Sequence, residues 1–115
     1  MILRGPENVE AVKMSESHGG EGDCLVRTLL TEEFSSSLSY IREIILEPGA
    51  SIGLHEHNGD EEIYYIISGT GTMIIDEEEQ CVKTGDVTLT KSGSRHGLKN
   101  DSDTPLKLFV ACVHL

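Results

Sequence analysis

The chain has little positive charge. Nine Lys and Arg stand against twenty Asp and Glu, a formal net charge of −11 at pH 7. A surface of that sign gains nothing by displacing counterions from nucleic acid or an anionic bilayer, so neither is expected as a partner. Cysteine is also scarce. Cys24, Cys81 and Cys112 form no close pair and no C-x-x-C, and an odd count leaves at least one thiol outside any intrachain disulfide. They read as reduced, partly buried thiols. Long apolar runs are missing as well: the opening M-I-L-R-G-P-E-N has no signal-peptide core, and no stretch would cross a bilayer as a helix. A cytoplasmic protein is expected. Finally, no segment of about ten residues or more repeats its apolar positions with helical period.

What the chain does have is a succession of short, β-branched runs punctuated by Gly, Pro, Asn and Asp. Cys24–Leu30, Leu38–Leu46, Val87–Thr90 and Leu106–Leu115 read as strands. The run from Thr70 through Lys83 reads as a hairpin around an acidic turn, Asp76–Glu79, whose carboxylates are expected to be a solvated tip. This is the profile of an all-β sandwich or barrel. At 115 residues one domain is expected, with an N-terminal arm and Gly-rich loop over 1–23 and the barrel over 24–115. The run H-G-G-E-G from His18 to Gly22 suits no regular element. His18 could reach a pocket, but an isolated loop histidine reads first as solvated. His114, beside the C-terminus, is expected to have no role.

The stretch Gly49–Gly69, G-A-S-I-G-L-H-E-H-N-G-D-E-E-I-Y-Y-I-I-S-G, carries the chemistry. It reads as a strand, a tight Asn58-Gly59-Asp60 turn and a returning strand, that is, a hairpin. Strand alternation puts His55 and His57 on one face, where two imidazoles can chelate, while Glu61 and Glu62 point to opposite faces and only one can look back at the pair. A third imidazole, His96, lies in a second Gly-rich segment, G-D-V-T-L-T-K-S-G-S-R-H-G-L-K-N, from Gly85 to Asn100.

Together these segments resemble the paired motifs of the cupin superfamily. The first motif, G-x5-H-x-H-x4-E-x6-G, is met at every anchor by Gly49, His55, His57, Glu62 and Gly69. The second, G-x5-P-x-G-x2-H-x3-N, is met by Gly85, Gly93, His96 and Asn100, with Lys91 standing where proline is usual. That departure falls at a turn position, not at a ligand. The resemblance implies a small jelly-roll β-barrel with a divalent transition metal, one of Fe, Mn, Ni, Zn or Cu, held by His55, His57, Glu62 and His96. It selects Glu62 over Glu61. It also implies a homodimer that covers open sheet edges.

Three imidazoles and one carboxylate leave an octahedral ion two open positions, which favours a small chelating anion over a closed structural zinc. Arg42, in phase with Tyr40 and Ile44, would clamp that anion if its strand face lines the barrel; on the outer face it would pair with a surface acid. Tyr64 shares the face of Glu62, either as a proton-transfer group or as a packed barrel tyrosine. The functional expectation is therefore a metal-dependent enzyme of dioxygenase, isomerase or decarboxylase type acting on a small anionic substrate. The alternative is a non-catalytic cupin that binds or senses such a molecule.

Overall fold

The computed structural model describes residues 1–115. Ten strands follow in order: β1 Val12–Ser15, β2 Asp23–Leu30, β3 Leu38–Leu46, β4 Ser51–Glu56, β5 Asp60–Ser68, β6 Thr70–Ile75, β7 Glu78–Lys83, β8 Val87–Thr90, β9 Arg95–Lys99 and β10 Leu106–His114. The one helical element is a short 3-10 turn, Ser17–Gly19.

Pairing explains the architecture. β6 pairs with β7 across the Asp76–Glu77 turn, and moving outward β5 pairs with β8, β4 with β9 and β3 with β10, all antiparallel. That is one long double-stranded hairpin. It is rolled up so that successive strands fall in alternate sheets, and the roll is sealed by β5 against β10 and β6 against β9. The result is a jelly roll of two sheets, ordered β1-β2-β3-β10-β5-β8 and β4-β9-β6-β7. Rolling places the inward residues of both sheets in one core, where Leu46, Ile66, Leu98, Leu106, Leu108 and Val110 are at most 1% exposed.

Three expectations change. Gly49–Gly69 is not a hydrogen-bonded hairpin, because β4 and β5 belong to different sheets. An Asn-Gly turn is locally suited to a hairpin, but here its polar groups are claimed from elsewhere: Gly93 N–H donates to His57 O, His57 N–H to Ser94 O, and Leu115 N–H to Gly59 O. The segment therefore turns a corner across the sandwich. Residues 1–23 contain a strand, β1, which extends the larger sheet by pairing with β2. And Asp76 is not merely solvated: its carboxylate accepts from Arg95 N–H at 3.0 Å and from the Ser94 hydroxyl at 3.2 Å, fixing the loop before His96. Asn100 plays a comparable part. Fully buried, it donates to the carbonyls of Leu46 and Thr104 and accepts from Ser102, tying three segments together.

Candidate metal centre

The four expected ligands arrive from four places: His55 on β4, His57 in the corner after it, Glu62 on β5 and His96 on β9. Simple alternation does not deliver His55. On β4, Ile52 faces inward and pairs with Leu98, yet His55 pairs with His96, so three steps on β4 match two on β9. The extra residue is a bulge that turns Leu54 outward and His55 inward. Gly53 makes it possible: a Cβ there would lie 2.1 Å from the His18 carbonyl oxygen.

Each imidazole is held by its Nδ1 and turns its Nε2 to a common point. His55 Nδ1–H donates to the Gly53 carbonyl at 2.8 Å, and His57 Nδ1–H to Asp60 Oδ1 at 2.9 Å. Carbonyl and carboxylate oxygens only accept, so both rings, when neutral, carry their proton outward and present a bare Nε2 lone pair inward. His96 Nδ1 lies 2.8 Å from the Thr90 hydroxyl. Its Nε2 is 2.9 Å from that of His57 and 3.2 Å from that of His55, and Glu62 Oε1 is 3.1 Å from His96 Nε2 and 3.2 Å from His57 Nε2. All four donor atoms lie within 4.8 Å of one another and could hold a metal ion. Lone pairs and a carboxylate aimed at one point repel unless a cation lies among them, and this donor set suits a divalent transition metal. The residues fit such an ion.

Electrostatics agree with that reading. Burial resists the charge of Glu62, but its contacts with His96, Tyr40 and His57 outweigh burial and hold the carboxyl below its usual range. Burial pushes His55 down to about 4, so it stays a neutral ligand over the physiological range. Tyr40 and Tyr64 are both raised, first by burial and then by the Glu62 carboxylate.

Beside the cluster opens a cavity of about 290 Å³, lined by His55, His57 and Glu62, whose walls also include His18, Tyr40, Arg42, Tyr64, Ile44 and Val110. Arg42 is thus on the inner face. Its guanidinium carbon stands 3.8 Å above the Tyr40 ring and its Nε donates to the Thr28 hydroxyl at 3.3 Å, leaving the terminal N–H groups for a ligand. Tyr64 is buried beside the centre with its ring 4.8 Å from that of His96. His18 is not simply solvated: its ring stacks on His55 at 3.7 Å between centroids.

Sequence reasoning passed over Tyr40, whose hydroxyl donates to Glu62, and treated Asp60 only as a turn residue. A signal for Asp60 exists. A carboxylate three residues after a ligand histidine, across a tight turn, is within reach of that ring's outer nitrogen.

A profile of the cupin domain matches residues 42–112. The chain belongs to the cupin family. Among its relatives, the oxalate-binding protein of Thermotoga maritima is 33% identical over 116 aligned residues, covering 100% of this chain and 95% of that protein. A solved structure described as a predicted oxalate decarboxylase, also from Thermotoga maritima, superposes with a TM-score of 0.94 at 32% identity, with both chains fully covered. A cupin 2 conserved barrel domain protein from Salinispora arenicola reaches 0.74 at 20% identity, covering 98% of this chain and 88% of that one, a likeness of fold alone.

Proposed function

We propose that this cupin holds one divalent transition metal at His55, His57, Glu62 and His96 and binds a small chelating dianion of the oxalate class there. The observation that carries the proposal is Arg42, an arginine held by a threonine and an aromatic ring and by no carboxylate, in the wall of a small cavity that three of the four converging metal donors, His55, His57 and Glu62, also line. The metal, when bound, supplies a Lewis-acidic centre with positions left over for a bidentate oxygen ligand. Arg42 presents a planar fork that matches a carboxylate. Apolar Ile44, Ile52 and Val110 complete the wall and lower the local polarity around the pair. The name of the Thermotoga maritima relative, an oxalate-binding protein, supports the same ligand class.

Binding is the simpler reading, because it needs only the metal group and Arg42, whereas turnover needs a proton-transfer group in addition. Tyr64 is the candidate for that role, enclosed beside the centre, with burial first and then the Glu62 carboxylate raising its hydroxyl. The enzyme reading draws on the solved relative described as a predicted oxalate decarboxylase. One set of measurements tests both. Elemental analysis of untagged protein should find about one transition metal per chain, lost in the His55→Ala, His57→Ala double variant, and calorimetry on the loaded protein should detect oxalate binding. Unchanged metal in the double variant refutes the centre. Release of formate from oxalate, followed by NMR, would replace the binding reading with catalysis.

A further inference from the structure

The turn that carries His18 is built at some conformational cost. Glu16 (φ 52, ψ 46) and His18 (φ 51, ψ 36) are both non-glycine residues in the left-handed region, which L side chains seldom occupy. Such backbone persists only when its surroundings hold it, and observed outliers of this kind are reasonable places to look for function. The surroundings here are β4. Ser51 N–H donates to Glu21 O at 2.7 Å and Glu21 N–H to Ser51 Oγ at 2.9 Å. The backbones press so close that a Cβ on Gly20 would fall 2.2 Å from Ser51 O and one on Gly53 2.1 Å from His18 O. Glycine at both positions is what allows the turn to lie flat on the strand.

The product of this construction is a single side chain placed over the centre. The His18 ring lies parallel to His55, 10° between planes and 3.7 Å between centroids, on the wall of the cavity that Arg42 also lines, and it is the more exposed of the two. Every other histidine of the cluster has its Nδ1 engaged by the protein, whereas no protein group accepts from or donates to the ring of His18. A stack alone would be served as well by an apolar ring; an imidazole on the cavity wall adds an N–H donor that an apolar ring lacks.

We propose that His18 is the roof of the anion site: its imidazole donates an N–H to an anion seated between Arg42 and the metal group, and its stack on His55 limits the length of anion admitted. This deepens the reading of an anion-binding centre and rests on it. Two variants separate the two parts of the role. His18→Phe keeps a ring on His55 and removes the donor; His18→Ala removes both.

The test loads wild type and both variants with manganese(II), measures metal content, and titrates each with oxalate, malonate and succinate by calorimetry. Metal content should stay at the wild-type level. Oxalate affinity should fall by about tenfold or more in both variants, the size of one hydrogen bond to a charged group. In His18→Ala, but not in His18→Phe, the preference for oxalate over succinate should narrow. Oxalate affinity equal to wild type in both variants overturns the role of His18 while the anion reading stands. Loss of manganese from both variants also overturns it, since His18 would then act through His55 rather than on the anion. Absence of oxalate binding by manganese-loaded wild type overturns the anion reading and the roof together.

Discussion

Asp60 is not one of the four converging donors, yet through His57 it should control their metal affinity. Its Oδ1 accepts the Nδ1–H of His57 at 2.9 Å, and its Oδ2 lies 3.5 Å from the Cys112 thiol, a weak donor that helps fix the carboxylate. A metal on Nε2 draws density from the ring and makes the outer N–H more acidic, so the carboxylate's bond strengthens as metal binds. A hydrogen bond involving a charged group contributes roughly 1.5–3 kcal/mol and a neutral one about 1 kcal/mol. Asp60→Asn can still offer a carbonyl oxygen, so the difference is about 1 kcal/mol and metal affinity should fall about fivefold to tenfold. Asp60→Ala loses the whole bond and should cost about tenfold to a hundredfold. Thr90→Val, which removes only a hydroxyl partner of His96, should resemble the Asn variant. Titration against a chromophoric chelator would order the variants. If Asp60→Ala binds metal as tightly as wild type, the outer hydrogen bond does not orient His57; if Asp60→Asn is as weak as Asp60→Ala, charge alone matters and geometry does not.

Other consequences can be checked separately. Arg42→Ala should leave metal content intact and weaken oxalate by about tenfold to a hundredfold; wild-type affinity in that variant would place the guanidinium outside the ligand's reach. The Glu33 carboxylate accepts the backbone N–H groups of Glu32 and Thr31 and pairs with Arg4, which lowers it from 4.5 to about 2. A carboxyl lowered on folding contributes stability above its unfolded value and loses it as pH falls, so the N-terminal arm should loosen between about pH 4.5 and 2, visible as sharpening NMR signals from residues 1–8, and an arm unchanged across that window would contradict the tie. Tyr65, Ile67, Val87 and Leu89 form an exposed apolar strip on the outer face of β5 and β8. Such a strip fits a second copy of this chain, and Val87→Lys with Leu89→Lys should turn a sedimenting dimer into a monomer; a monomeric wild type refutes the idea.

The grouping of His55, His57, Glu62 and His96 was legible through the resemblance of two motifs, and the structure brings their donor atoms together; the strand bounds were legible because apolar, β-branched runs give way to polar and turn-forming residues. Leu38–Leu46 and Val87–Thr90 emerge with the bounds their composition predicts. What escaped was decided at long range. The Asn58-Gly59 turn reads as a hairpin until the hydrogen bonds from Gly93 and Leu115 are known. The inward turn of His55 depends on a bulge opposite β9, which no alternation within β4 reveals. His18 escaped for the same reason: nothing within the Gly-rich loop shows that Gly20 and Gly53 let two distant backbones meet.

Charge is the remaining link between this fold and the anion proposed for it. A protein of net charge −11 repels anions on average, so any anion site must be a local exception. Were a divalent ion held by three neutral imidazoles and one carboxylate, the group would carry a net charge of about +1, and Arg42 would add one more from the wall of the same cavity. The acid nearest this pair, Glu62, is consumed as a donor, and Asp60 is occupied by His57. The two groups an anion would touch, the metal centre and Arg42, would thus carry about +2, while the carboxylates of Glu56 and Asp60 in the same wall offset that charge and disfavour an anion that reaches only one of the two. A compact dicarboxylate can bring one pair of oxygens to the metal and the other toward Arg42, whereas formate or acetate would leave one cation unpaired. On this argument the acidic surface does not oppose the function. It discourages non-specific anions everywhere except at the one place where two positive charges converge.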